Sequence, residues 1–357
     1  MRRAQRLAIV FSTILLVGIV ALVLRSLDAM GIFTEVTQAA CRDPSTIRGV
    51  VGPEDMRYDA TSNSLFISAT DWRRKDTHPS PDDGLYVYRP GHAGPPVKLK
   101  GTGADFHPLG ISIFRASDGA LTLMAVNLPA HGKPGIDIFS VTDVASDKIA
   151  LHEQEYIQGD LLVAPNSIVA VDKGRFYATN DHTSTTSLGL ALENYLMLPR
   201  ANVVYFDGTN FRVVADGLRF ANGINKSTDG EHVYVAETTG REIRSYARNI
   251  FSGDLAPVGQ MPIASGLDNI SMSADGDMFV AGHPKLVDFL VYRGDARKPS
   301  PSQIFAITTD ASGIPQSAKL IYSGKSIGAA SVGLPVGGRL LIGSVFESKI
   351  LSCALAR

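Results

Sequence analysis

Glu54, Asn166, Asn222, Asp268 and Asn269 stand in short loops that recur along the chain, each just ahead of an apolar run. Together they offer two carboxylates and three amide carbonyls, hard oxygen donors whose charges sum to −2. Ca²⁺ takes about six to eight such ligands, whereas Zn²⁺ favours imidazole or thiolate in a tetrahedron. The set would neutralise one Ca²⁺ and leave room for water or substrate. A cation held this way acts as a Lewis acid toward a carbonyl oxygen. Taken singly, Asn-Gly and Asp-Asn are ordinary turn dipeptides, and the signal lies in several loops sharing one register.

Such loops must be carried to a common axis from distant parts of the chain. Six related segments recur, at Pro53-Glu54-Asp55, His107 to Ser112, Pro165 to Ile168, Ala221 to Ile224, Leu267 to Ile270 and Ala330 to Gly333. Their spacing of roughly 45 to 60 residues is that of one four-stranded propeller blade or a little more. Between them, apolar runs of strand length alternate with Gly, Asp, Asn and Pro clusters. Examples are Ser64 to Ala69, Leu121 to Val126, Asn202 to Phe206, Val233 to Glu237 and Arg339 to Ile342. One short helix is expected within Thr183 to Pro199, where Leu188, Leu192, Tyr195 and Leu196 cluster. The fold class is therefore all-β, a six-bladed β-propeller over residues 41–357. The inner strand of each blade begins at the tunnel.

The composition narrows the function. Lys+Arg 34 against Asp+Glu 35 gives a formal net charge of −1, so no general attraction to nucleic acid is expected. Hydrophobic residues make up 45% and only 2 cysteines are present, which excludes disordered and disulfide-scaffold classes. No G-x-S-x-G elbow occurs, and Gly324-Lys325-Ser326 lacks the rest of a phosphate-binding loop.

Leu7 to Leu24 is an uncharged stretch flanked by Arg2, Arg3 and Arg6 on one side and Arg25 on the other. As a helix it would extend ~27 Å, close to the hydrocarbon thickness of a bilayer. Residues 1–6 are read as a cytoplasmic basic segment, 7–24 as a transmembrane signal anchor and 25–40 as a linker. The charge order puts the rest of the chain on the extracytoplasmic side. A cleaved signal peptide, giving a secreted protein, and a buried core helix are the alternatives. In an exported chain, Cys41 and Cys353 are most simply a disulfide joining first strand to last, with two separate buried thiols as the alternative.

The segments Pro165 to Val171, Phe176 to His182, Asn202 to Tyr205, Phe220 to Ile224, Asp268 to Ser271, Gly282-His283-Pro284 and Leu340 to Phe346 closely resemble the serum paraoxonase/arylesterase family, itself related to gluconolactonase and strictosidine-synthase-like propellers. The resemblance runs from Cys41 to Cys353. It implies a six-bladed propeller with calcium in the tunnel, ends joined by a disulfide, a retained N-terminal apolar segment, and hydrolysis of lactones and aryl esters. The calcium ligands it implies are Glu54, Asn166, Asn222, Asp268 and Asn269. A second, structural calcium would involve Asp55 and the carbonyl of Ile111. His182 and His283 match family positions and, with Asp268 and Glu54, are the candidate catalytic groups.

Two departures bear on mechanism. The family's dyad histidines are replaced by Leu109 and Leu128, and leucine accepts no proton. His107 and His131 are near in sequence, without assurance that either points inward. At the second calcium, Ser167 stands where a partner carboxylate is expected. The expected function is a calcium-dependent hydrolase of lactones or aryl esters. The alternatives are a calcium-stabilised binding propeller, or a sugar-lactone hydrolase or strictosidine-synthase-like propeller. The expected partners are a small ester or lactone and, through the N-terminal helix, a membrane.

Overall fold

The computed structural model describes residues 2–74, 80–92, 94–146 and 148–355. Among the described residues, twenty-four strands form six four-stranded antiparallel sheets. A short first strand, β1 (Ser45–Arg48), precedes the first blade, which comprises β2 (Pro53–Asp59), β3 (Ser64–Ala69), β4 (Gly84–Tyr88) and β5 (Val97–Lys98). The second holds β6 (Pro108–Arg115), β7 (Leu121–Asn127), β8 (Gly135–Thr142) and β9 (Ala150–Ile157), and the third holds β10 (Pro165–Ala170), β11 (Phe176–Asn180), β12 (Ala201–Phe206) and β13 (Phe211–Leu218). The fourth holds β14 (Ala221–Lys226), β15 (His232–Glu237), β16 (Glu242–Arg248) and β17 (Leu255–Pro262). The fifth holds β18 (Gly266–Met272), β19 (Met278–His283), β20 (Ser302–Thr309) and β21 (Pro315–Gly324). β22 (Ala330–Val336), β23 (Arg339–Ser344) and β24 (Lys349–Ala354) complete the strands, and β1 returns to pair with β24 as the outer strand of the sixth blade.

Local sequence explains the hairpins. Gly230 and Gly276, each following an Asp, adopt φ of 75° and 92° at the turns joining inner to second strands of the fourth and fifth blades, a conformation glycine adopts without steric cost. Apolar side chains from facing sheets fill the gaps between blades. Phe66 and Leu85 of the first blade meet Ile111, Leu123 and Phe139 of the second, all of them fully buried. Each such side chain contributes about 1.5–3 kcal/mol relative to leaving it exposed.

The ring is closed twice. Ser45 pairs with Ser352 in the β1–β24 ladder, and Cys41 and Cys353 form a disulfide with Cα atoms 5.1 Å apart. Pairing of β1 with β24 completes the sixth blade and ties the start of the propeller to its end.

Among the described residues, three helices lie outside the sheets. α1 (Arg2–Ala29) presents exposed apolar side chains along most of its length and is long and apolar enough to cross a membrane. Its far end is tied to the propeller, with Ser26 donating to the Tyr195 carbonyl at 3.3 Å and the backbone N–H of Val287 to Met30 at 3.3 Å. α2 (Ser187–Tyr195) falls within the expected helical stretch and is capped by the Thr186 hydroxyl, which accepts from Gly189 N at 3.1 Å. α3 (Leu286–Gly294) follows β19 directly.

Candidate active site and metal centre

The six inner strands share one irregularity. Near the start of each the register slips, between Pro53 and Asp55, Pro108 and Ile111, Pro165 and Ile168, Ala221 and Ile224, Leu267 and Ile270, and Ala330 and Val332. A bulge releases its residue from the ladder and re-aims the side chain. The residues inside these slips include Glu54, Leu109, Asn166, Asn222, Asp268, Asn269 and Ser331. Repeated six times, the device brings together side chains more than two hundred residues apart. Gly110 and Gly223 lie in the same slips, where a Cβ would come 2.6 Å from Ser167 Cα and 2.5 Å from the Asp268 carbonyl. Only glycine permits inner strands so close.

Every amide in the set is anchored by its nitrogen. Asn269 Nδ2 donates to Glu54 Oε1 at 2.8 Å, Asn166 Nδ2 to Asp181 Oδ2 at 3.1 Å, and Asn222 Nδ2 to Thr238 Oγ1 at 3.2 Å. Thr238 is fixed in turn by donating to the Leu267 carbonyl at 2.6 Å. Glu54 Oε2, Asn166 Oδ1, Asn222 Oδ1 and Asn269 Oδ1 are buried without a hydrogen-bond partner. Unpartnered buried acceptors are costly, and four from different blades in one region demand a donor or a cation.

The electrostatics agree. Burial pushes the Glu54 carboxyl well above its ordinary range, and the nearby carboxylates of Asp268 and Asp55 push it further. A divalent cation would reverse both effects. The donor set, all oxygen and carrying two carboxylates, fits Ca²⁺ rather than a softer metal.

Asp55 and Ile111 make a different arrangement. Asp55 Oδ1 accepts from Met56 N at 2.8 Å and from Arg57 Nη1 at 2.5 Å, while Oδ2 accepts from Ile111 N at 2.9 Å. Ile111 thus meets Asp55 through its N–H. Lys226, on β14, donates from Nζ to the Ala170 carbonyl at 2.8 Å. Burial first, then the charges of Arg248 and Arg57, bring its ammonium down to about 8.

Two histidines flank the oxygen set. His283 Nε2 lies 2.8 Å from Asp268 Oδ2, and its ring packs on Phe289 with centroids 4.5 Å apart. The ring is buried and Nδ1 has no partner. His182 is more accessible, its side chain 24% exposed. Its Nδ1 pairs with Asp181 Oδ1, and that contact raises its pKa above the ordinary value although burial opposes. Asp181 therefore links His182 to Asn166.

Leu109 and Leu128 are half-buried and pack against an apolar cluster that includes Met124, Val126 and Ile168. Neither nearby histidine replaces them. His107 is buried and held between Asp83 Oδ2 at 2.7 Å and Asp105 Oδ1 at 2.9 Å, and His131 is exposed. An aromatic wall rises beside His283, where Phe289 stacks on Phe346 at 5.2 Å and Tyr292 meets Phe346 at 5.8 Å. Sequence reasoning missed Ser331, Thr238 and Asp181 as supports. Ser331 was recoverable, since it holds in the sixth repeat the place of Glu54 in the first.

The arylesterase family model matches residues 98–355, more than half of the chain. This chain belongs to the arylesterase family. Human serum paraoxonase/arylesterase 1 is 35% identical over 254 residues, covering 71% of this chain and 69% of that protein. The rat serum paraoxonase/arylesterase 1 is 30% identical over 334 residues, covering 90% and 92%. Among solved structures, an aldose sugar dehydrogenase from Streptomyces coelicolor superposes with a TM-score of 0.54 at 14% identity, covering 88% of this chain and 99% of that one. That likeness concerns the fold alone. Family membership supports reading this propeller as a hydrolase.

Proposed function

We propose that the chain is a calcium-dependent hydrolase of lactones or aryl esters, anchored by α1 with the propeller on the extracytoplasmic side. The observation that carries the reading is the group of four buried, unpartnered oxygens on Glu54, Asn166, Asn222 and Asn269. These residues and Asp268 would hold the ion. When bound, calcium supplies Lewis-acid polarisation of the ester carbonyl and stabilises developing negative charge on its oxygen.

The remaining work falls to side chains. His182, fixed at Nδ1 by Asp181, keeps Nε2 for the proton of an attacking water. His283 has its Nδ1 enclosed in protein, so its role is to orient Asp268 through Nε2. Glu54 is held by Asn269 and by Ser331, whose hydroxyl donates to the Glu54 carbonyl at 2.6 Å. Phe289, partly buried and backed by the Phe346 and Tyr292 rings, offers an apolar contact for an aryl or acyl group. Leu109 and Leu128, packed on the Met124, Val126 and Ile168 cluster, supply no proton acceptor, which favours the second reading, a calcium-stabilised propeller that binds without hydrolysing.

Calorimetric titration of Ca²⁺ into chelator-treated protein tests the ligand set. Asn222→Ala is expected to weaken binding about tenfold or more, equivalent to at least ~1.4 kcal/mol. Unchanged affinity contradicts the assignment.

A further inference from the structure

Beyond the ring of donor oxygens, the inner strands carry Arg57, Lys226 and, at the far end of β6, Arg115, which pairs with Asp59. Arg57 follows Asp55 by two residues on β2, and its side chain is 10% exposed. Its Nη1 lies 2.5 Å from Asp55 Oδ1 and 3.0 Å from the Met56 carbonyl. Lys226 reaches the Ala170 carbonyl of a neighbouring blade. The inner edge of each blade has no further strand to pair with, so such carbonyls need donors from side chains.

Charge distinguishes the two levels of the tunnel. Glu54 and Asp268 bring −2 to the upper level. Lower down, Asp55 and Arg57 cancel. Both oxygens of Asp55 are already engaged by Met56, Arg57 and Ile111. Ser167, where the family resemblance leads one to expect a carboxylate, contributes only a neutral hydroxyl. A divalent ion placed at Asp55 would meet the Arg57 guanidinium at contact range, where like charges in a poorly solvated site repel strongly.

We infer that Arg57 takes the place of a second, structural metal ion, so that this propeller binds one calcium and folds without any. The guanidinium is a permanent cation bonded to the chain, which chelators cannot remove. Calcium is thereby freed from a structural duty and serves the upper site alone. The inference rests on the single-calcium reading proposed above.

Equilibrium dialysis of the full-length protein against millimolar calcium, with thermal unfolding in excess EGTA, tests it. The expected results are one ion per chain, none in Asp268→Ala, and cooperative unfolding retained in EGTA. Asn222→Ala serves the same purpose if Asp268→Ala does not fold. Two ions in the wild-type protein, an ion persisting in the upper-site variant, or loss of cooperative unfolding in EGTA would overturn the inference. No ion in a wild-type protein that still unfolds cooperatively would sink the upper calcium site and leave the metal-free lower level supported.

Discussion

Asn269 in the fifth blade donates to Glu54 in the first at 2.8 Å, passing over the sixth blade between them. The contact engages Oε1 of Glu54 and the nitrogen of Asn269, which leaves Oε2 and Oδ1 as acceptors without partners. Glu54→Gln keeps the shape and removes one of the two charges. We expect calcium affinity to fall about tenfold or more, or at least ~1.4 kcal/mol, with cooperative unfolding preserved. Titration calorimetry provides the check, and wild-type affinity in the variant contradicts the role of the charge.

The Asp181 contact holds His182 protonated to a higher pH than an isolated imidazole. A base must be neutral to accept a proton, so kcat/KM should rise with pH through a value above the ordinary imidazole pKa of about 6.5. Asp181→Asn removes the raising influence and should shift that limb downward. A pH profile on both proteins decides it; an unmoved limb excludes His182 as the proton acceptor.

The Cys41–Cys353 bond closes a loop with a sequence separation of 312 residues. Reduction, or paired replacement by serine, should cost about 2–5 kcal/mol of stability. Calorimetric melting with and without reductant measures the loss. A melting temperature insensitive to reduction would show that β1 closes the ring unaided.

Asp137 is buried on β8, and burial raises its carboxyl to about 7 despite a hydrogen bond from Asn127. Between pH ~4 and ~7 the folded chain keeps a proton that the unfolded chain has lost, so this group lowers stability as pH rises through that window. Asp137→Asn removes the penalty. The variant should gain roughly 1–3 kcal/mol over wild type at pH 8 and much less at pH 5. Urea unfolding at both pH values is the measurement, and an equal difference at both refutes the assignment.

Much of this architecture was legible because the repeat is local. Ser64 to Ala69 is a strand as the alternation of apolar runs and turns requires, and the six loops starting at Pro53, His107, Pro165, Ala221, Leu267 and Ala330 all open inner strands. Other features depend on register or side-chain direction. The pairing of Arg57 with Asp55 follows from how the strand runs after the bulge, which residue types alone do not report. α3 went unseen because its start at Lys285 has no side-chain cap, and Val287, Phe289 and Val291 mimic the alternation of a strand. His107 could be excluded as a tunnel residue only when Asp83 and Asp105 were found on either side of its ring.

The most direct test is hydrolysis of phenyl acetate and a series of aliphatic lactones by the full-length protein, first with added Ca²⁺ and then with excess chelator. Turnover should disappear on chelation and return when calcium is restored, in a protein whose cooperative unfolding survives throughout. Turnover that persists undiminished in chelator would contradict the central claim that the Glu54, Asn166, Asn222, Asp268 and Asn269 oxygens hold the ion on which catalysis depends.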